Sequence, residues 1–157
     1  MKRQAAKVLK GVSHVEGVKI TQTATYIEVE KSPASVFVVV TDENWNSNTK
    51  SYRIAHPFTS KARISHMSAN KYGNDERAEK GIATRLLCIA VCILVLDDKL
   101  TSRSIVVAEV DKSEDDTLLT KVYTPLGFHL VSRFDSDDTG GLVMSYARTI
   151  IQNAPGP

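Results

Sequence analysis

The stretch from Arg77 to Leu100, RAEKGIATRLLCIAVCILVLDDKL, constrains this chain more than any other. A polar segment containing Gly81 runs directly into the longest apolar run of the sequence, Leu86 to Leu96. Periodicity alone leaves that run open between a buried strand and a buried helix, because it is rich in β-branched residues. Length decides for a helix: no Gly or Pro follows Gly81 before Leu100, and a strand of about twenty residues would far exceed the usual 5 or 6. A helix entered from a polar loop has first-turn N–H groups without internal partners, and the positive end of its dipole faces the loop. Such a terminus is an anion site that suits phosphate.

A chain of 157 residues with 42% hydrophobic composition fits one globular domain spanning residues 1–157, large enough to be stable without a disulfide or metal staple. The net charge of +2 argues against a strongly basic nucleic-acid binder. Lys2, Arg3, Lys7 and Lys10 form a local basic cluster that reads first as a solvated helix face. The two cysteines, Cys88 and Cys92, are four apart in the apolar run, where helical geometry does not bring their sulfurs into bridging position. Two ligands alone make no zinc site, so no metal is expected and both read as buried, reduced thiols. Met1 to Lys10 lacks the apolar core of a secretory signal, and Leu86 to Leu96 falls short of the roughly 20 residues of a membrane span. The expectation is a soluble protein of a reducing, cytoplasmic compartment with no membrane partner.

Along the chain, Lys2 to Val12 has apolar positions at helical spacing, closed by Gly11 and Gly17. Val18 to Lys31 alternates in strand fashion, Lys31-Ser32-Pro33 breaks it, and Ser35 to Thr41 is a β-branched run read as a buried central strand. Asp42 to Asn48 reads as a turn-rich loop, and Ser51 to Ala55 and Ala62 to Ala69 as two more short strands, so the first half is an antiparallel meander. Lys71 to Lys80 is polar surface loop. After the long helix, Ser104 to Val110 is a second buried strand. Acidic Glu114 to Asp116 opens a short helix carrying Leu118, Leu119 and Val122, ended by Pro125 and Gly127. Phe128 to Phe134 and Leu142 to Ala147 form a hairpin around the turn Asp137 to Gly141, with a frayed tail from Gln152. The class is α/β (α+β), a mixed sheet covered by helices.

Two separated pieces of this pattern resemble the GNAT superfamily, whose members transfer an acetyl group from acetyl-CoA. Gly81-Ile82-Ala83-Thr84-Arg85-Leu86-Leu87 is similar to the G-x-G/A-x-x-L part of the family's pyrophosphate loop and helix start. Tyr123-Thr124-Pro125-Leu126-Gly127-Phe128 is similar to its Y-x-x-x-G-F signature, and the strand SIVVAEV lies between them as in the family. The resemblance covers Ala62 to about Ala147. It implies a mixed, mainly antiparallel twisted sheet of about six to seven strands flanked by helices, acetyl-CoA as co-substrate, and an amine on a small molecule or a protein as acceptor. The backbone N–H groups of Ala78, Glu79, Lys80, Gly81, Ile82 and Ala83 would hold the CoA pyrophosphate, with Met67, Ala69 and Thr84 also against the cofactor. Ala78 stands where the family usually has Arg or Gln, so the loop would hold its ligand by backbone alone.

The resemblance also assigns Tyr123 as the acid that protonates the departing thiolate, a role that suits a phenol with an ordinary pKa of about 10. A tyrosine at a helix end before a Pro-Gly turn also serves packing alone, with its hydroxyl in water. Glu109, near the end of SIVVAEV, is the first choice for the base that takes a proton from the acceptor amine, and His66 on the preceding strand is the second. No Walker loop, G-x-G-x-x-G or G-x-S-x-G element is present, which removes nucleotide-hydrolysing, dinucleotide and serine-hydrolase readings. The competing reading is a GNAT-fold binding protein without activity that holds another macromolecule, and a homodimer is left open.

Overall fold

A computed structural model describes residues 1–12, 16–40, 46–47, 52–53, 62–68, 81–111, 119–133 and 140–156. Helix α1 (Lys2–Val12) is followed by strands β1 (Lys19–Gln22), β2 (Tyr26–Lys31), β3 (Ala34–Val40), β4 (Asn46–Ser47), β5 (Tyr52–Arg53) and β6 (Ala62–Ser68). Helix α2 (Ile82–Leu96), β7 (Ile105–Asp111), two irregular helical turns (Leu119–Tyr123 and Thr124–Leu126), β8 (His129–Arg133), β9 (Gly140–Tyr146) and helix α3 (Ala147–Gln152) complete the order.

The β-branched segments pair into one seven-stranded sheet in the order β1-β2-β3-β6-β7-β9-β8. All neighbours are antiparallel except β6 and β7. The class is therefore α+β, with a mixed and mainly antiparallel sheet flanked by helices, as the sequence leads one to expect. Parallel neighbours need a crossover, and here α2 supplies it between β6 and β7. Among the described residues no helix is long and apolar enough to cross a membrane.

Alternation divides the sheet into two faces. Ile27 and Val29 of β2, Val36 and Val38 of β3, Ala62 and Ile64 of β6, and Val106, Ala108 and Val110 of β7 point into one core with α1, α2 and α3. Eleven of the fifteen residues of α2 are buried, which is what a helix apolar on all sides requires. Each fully buried Leu or Ile contributes about 1.5–3 kcal/mol, so α2 is the main source of the core. The other face carries a smaller cluster of Ile105, Val107, Leu142 and Met144.

Helix α2 ends in a Schellman motif. The N–H of Lys99 donates to the carbonyl of Leu94 (2.9 Å), that of Asp98 to the carbonyl of Val95 (3.1 Å), and Asp98 takes a left-handed φ of 61°. Beyond it, Lys99 Nζ donates to the carbonyls of Thr23 (3.2 Å) and Ala24 (2.9 Å), and Gln22 Nε2 donates to Asp97 (2.7 Å). The helix end is thus fastened to the β1–β2 turn.

The structure departs from the sequence reading in three places. Asn46–Ser47, expected in a loop, pairs with Tyr52–Arg53 in a separate two-stranded ladder, so the described part of the expected Ser51 to Ala55 strand lies outside the main sheet. The helix expected before Pro125 is, over its described part, a π turn followed by a 3-10 turn, because Pro125 removes a donor. Leu118 and the acidic start at 114–116 lie outside the described residues, as do 134–139 of the final hairpin. Helix α3 was not expected: it follows β9 without a capping side chain, and it exists because Ala147, Ile150 and Ile151 bury against the core. The basic residues Lys2, Arg3, Lys7 and Lys10 of α1 are exposed, as a solvated face requires.

Cys88 and Cys92 are both buried and reduced. Burial pushes the Cys88 thiol up to about 12, with Cys92 adding to it, and burial alone pushes Cys92 up to about 12. A thiol whose folded pKa exceeds its unfolded value holds its proton longer in the native state, so stability is unaffected below the unfolded pKa of 9.0 and is lost as pH rises from there toward about 12. Chemical denaturation across that window is expected to show falling stability, with a shallower slope in the Cys88→Ala/Cys92→Ala double variant; an identical slope would remove the thiols from the account.

At the helix end, Asp98→Gly is expected to stabilise by about 0.5–1 kcal/mol, since Gly adopts the left-handed conformation without strain. The ion pair of Asp98 with Lys2 is exposed on both sides and offsets little of the gain. A lower denaturation midpoint in this variant would contradict the strained-cap account.

Candidate functional site

The site is built where the one parallel pair of the sheet comes apart. β6 and β7 are paired at Ala62–Val106, Arg63–Val107 and Ile64–Ala108, and their ladder ends there. Beyond Ile64, β6 continues along β3 through His66, Met67 and Ser68, while β7 continues along β9 through Glu109, Val110 and Asp111. The separation coincides with a bulge: Phe37 pairs with His66 and Val38 with Ile64, so Ser65 is the extra residue. Past this point the facing backbone edges of β6 and β7 have no ladder partner across the gap among the described residues. In open sheets with helical crossovers, ligands bind at the carboxyl ends of such strands, where neighbouring connections diverge.

A crossover helix runs back against its two strands, so α2 begins toward the same carboxyl end. Its N-cap is Gly81, with φ 78° and no side-chain cap. The first intrahelical bond is from Arg85 N–H to the Gly81 carbonyl at 3.2 Å, so among the described residues the N–H groups of Ile82, Ala83 and Thr84 have no acceptor within the helix. No acidic residue occupies the first turn, so no carboxylate of the helix itself offsets the dipole there. Among the described residues a Cβ at Gly81 would meet nothing within 4 Å, and the glycine is needed for its φ. The side chains of Ile82 and Ala83 are buried, at 2% and 4% exposure, so they offer a ligand their backbone alone. Ala69, Ala78, Glu79 and Lys80 lie outside the described residues. Met67 is half-buried against the helix-face core, so its side chain faces away from the candidate bases Glu109 and His66 and its backbone lines the split.

Glu109 and His66 lie on the sheet face opposite the helices, since their neighbours Ala108, Val110 and Met67 belong to the helix-face core. One carboxylate and one imidazole therefore flank the split, Glu109 half-buried and His66 exposed. Tyr123 is placed differently. It is 3% exposed and part of the same core as Ile82, Ala83 and Val110, with its ring tilted against Phe128 at 5.1 Å between centroids. A phenol so buried reaches a reactant through the interior of the split or not at all.

The YTPLGF segment is held by its own backbone. Phe128 N–H donates to the Tyr123 carbonyl (3.0 Å) and Gly127 N–H to that of Thr124 (3.0 Å), while the buried Ser145 hydroxyl donates to the Leu126 carbonyl (3.1 Å). Gly127 has φ 87°, and a Cβ there would lie 2.4 Å from Thr149 Cγ2. The glycine of this motif is thus required by the close approach of α3 as well as by its turn. The bulge at Ser65 and the split it begins are backbone features that the side-chain pattern did not announce.

Among the described residues no group of His, Cys, Asp or Glu is arranged to hold a metal ion. A shallow cavity of about 480 Å³, lined by Met1, Gln4, Ser102, Arg148, Ile151 and Gln152, shares no residue with the split. No protein-family model matches the chain, and neither a curated protein nor a solved structure matches it significantly.

Gly127→Ala is expected to destabilise by about 2–4 kcal/mol through left-handed strain and overpacking, against about 1 kcal/mol for Gly81→Ala. Adding Thr149→Ser, which removes the opposing methyl, is expected to recover part of the Gly127→Ala loss in chemical denaturation. Absence of any recovery would rule out the clash as its cause.

Proposed function

We propose that the protein is an acetyl-CoA-dependent N-acetyltransferase that passes the acetyl group directly to an amine. The observation that carries this reading is the split of β6 from β7 with the N-terminus of α2 at the same end. The first-turn N–H groups of Ile82, Ala83 and Thr84 fit a pyrophosphate, and the unpaired strand edges fit an extended chain that carries backbone-like amides. The motif resemblance at Gly81 to Leu87 and Tyr123 to Phe128 supports the same reading from the sequence side.

In this mechanism Glu109, directly or through a water, takes the proton from the acceptor ammonium so that its nitrogen can attack the thioester carbon. Backbone N–H groups on the open edge of β6 polarise the carbonyl as charge develops on oxygen. Tyr123 gives its proton to the sulfur as the carbon–sulfur bond breaks, the nitrogen's second proton is lost through water as the amide forms and restores Tyr123, and the proton taken by Glu109 returns to solvent. The strand framework supplies proximity, and no covalent enzyme intermediate is needed. A reducing, cytoplasmic setting suits the buried thiols.

The deep burial of Tyr123 favours a second reading, a non-catalytic protein of this fold that binds another macromolecule, in which the ring is only core. Calorimetry and thermal shift with millimolar acetyl-CoA separate the readings from failure of both: binding is expected, and neither heat nor shift would sink the transferase. Tyr123→Phe is expected to lower turnover about a hundredfold with cofactor affinity retained; an unchanged rate would leave Tyr123 to packing.

A further inference from the structure

The face of the sheet away from the helices carries a row of side chains that the proposed chemistry uses at one end only. Cross-strand partners share a face. Glu28 is opposite Phe37 in β2 and β3, and Phe37 is opposite His66 in β6. Glu28, Phe37 and His66 therefore stand in one transverse row across β2, β3 and β6. Ile64 is level with Ala108 at the end of the β6–β7 ladder, and Glu109, the next residue of β7, lies just past that end on the same face as the row. With neighbouring strands about 4.8 Å apart, three strand spacings separate Glu28 from Glu109, roughly 14 Å, and more where β6 and β7 part.

The chemistry along the row is consistent. Tyr26, on the same face, stacks on Phe37 with ring centroids 4.7 Å apart and 25° between planes, which makes a two-ring platform beside Glu28. Tyr26, Phe37 and Glu28 are half-buried, and Glu28 has no cation paired to it among the described residues. A carboxylate beside an aromatic pair suits an ammonium on an alkyl chain, through charge, cation–π attraction and apolar contact.

The geometry points to this row as an acceptor track for a linear aliphatic polyamine, with one ammonium held at Glu28 and the Tyr26–Phe37 platform and another nitrogen delivered to Glu109. The inference rests on the transferase reading and names its substrate class. A peptide is a poorer occupant, because the backbone groups of β2, β3 and β6 along the row are spent on the ladder. The face then offers charge and alkyl contact, which is what a polyamine presents.

The test uses the full chain with spermidine, hexylamine of one charge, and a lysine-containing peptide, by calorimetry with and without acetyl-CoA and by acetyl-transfer kinetics. Spermidine is expected to bind about tenfold more tightly than hexylamine, and Glu28→Gln, a near-isosteric change on a half-buried side chain, to raise the KM for spermidine about tenfold while the KM for acetyl-CoA stands. Equal affinity for spermidine and hexylamine, preference for the peptide, or an unmoved KM in Glu28→Gln overturns the track. Binding of spermidine without binding of acetyl-CoA supports the track and removes the transferase, so the two failures are distinguishable.

Discussion

Burial of α2 is the constraint on which the rest of the molecule depends. With Leu86, Leu87, Cys88, Ala90, Val91, Cys92, Leu94 and Val95 all at 0% exposure, most of the helix surface is spent on the core, and its ends are what it can chiefly offer. One end is closed: the Schellman motif, the Lys99 ammonium on the Thr23 and Ala24 carbonyls, and Gln22 on Asp97 satisfy the groups there. The other end opens on Gly81 with no side-chain cap and with buried apolar side chains behind it. That asymmetry makes the N-terminus, and not the helix surface, the place where an anion would be met.

The sheet repeats the same division of labour. Its helix-facing side is a continuous core, whereas its other side changes character across the strands, from the half-buried Tyr26, Glu28 and Phe37 to the packed Val107, Leu142 and Met144. The split between β6 and β7 connects the two sides, so a ligand anchored at α2 could present its reactive end on the far face. The location of the candidate base and of the buried tyrosine on opposite faces follows from this through-sheet arrangement.

Much of the fold was legible because its strongest signals were local. The apolar run from Leu86 to Leu96 could bury only as a helix of that length, and the β-branched runs around Val36 and Val106 could serve only as strands. Gly81 and Gly127, both marked by motif, are both in left-handed conformation, as a helix start and a tight turn demand. What escaped was decided by tertiary partners. Helix α3 has no cap signal and forms because Ile150 and Ile151 find the core, and the pairing of Asn46–Ser47 with Tyr52–Arg53 is written in no alternation. The alignment of Glu28 with His66 is further removed still, since it depends on two successive strand registers that a single sequence does not encode locally.

The bulge at Ser65 has a consequence for how this strand tolerates change. It works as a phase shifter: residues before it and after it obey opposite parity, so Ile64 and Met67, three apart, both face the helices while Arg63 and His66 both face away. Entry of Ser65 into the β3 ladder, with no residue lost, would invert everything after it, turning Met67 outward and swinging His66 into the apolar layer, whereas removal of Ser65 would leave both facing as they do. The unpaired state of this one position matters more to the site than the identity of Ser65 itself.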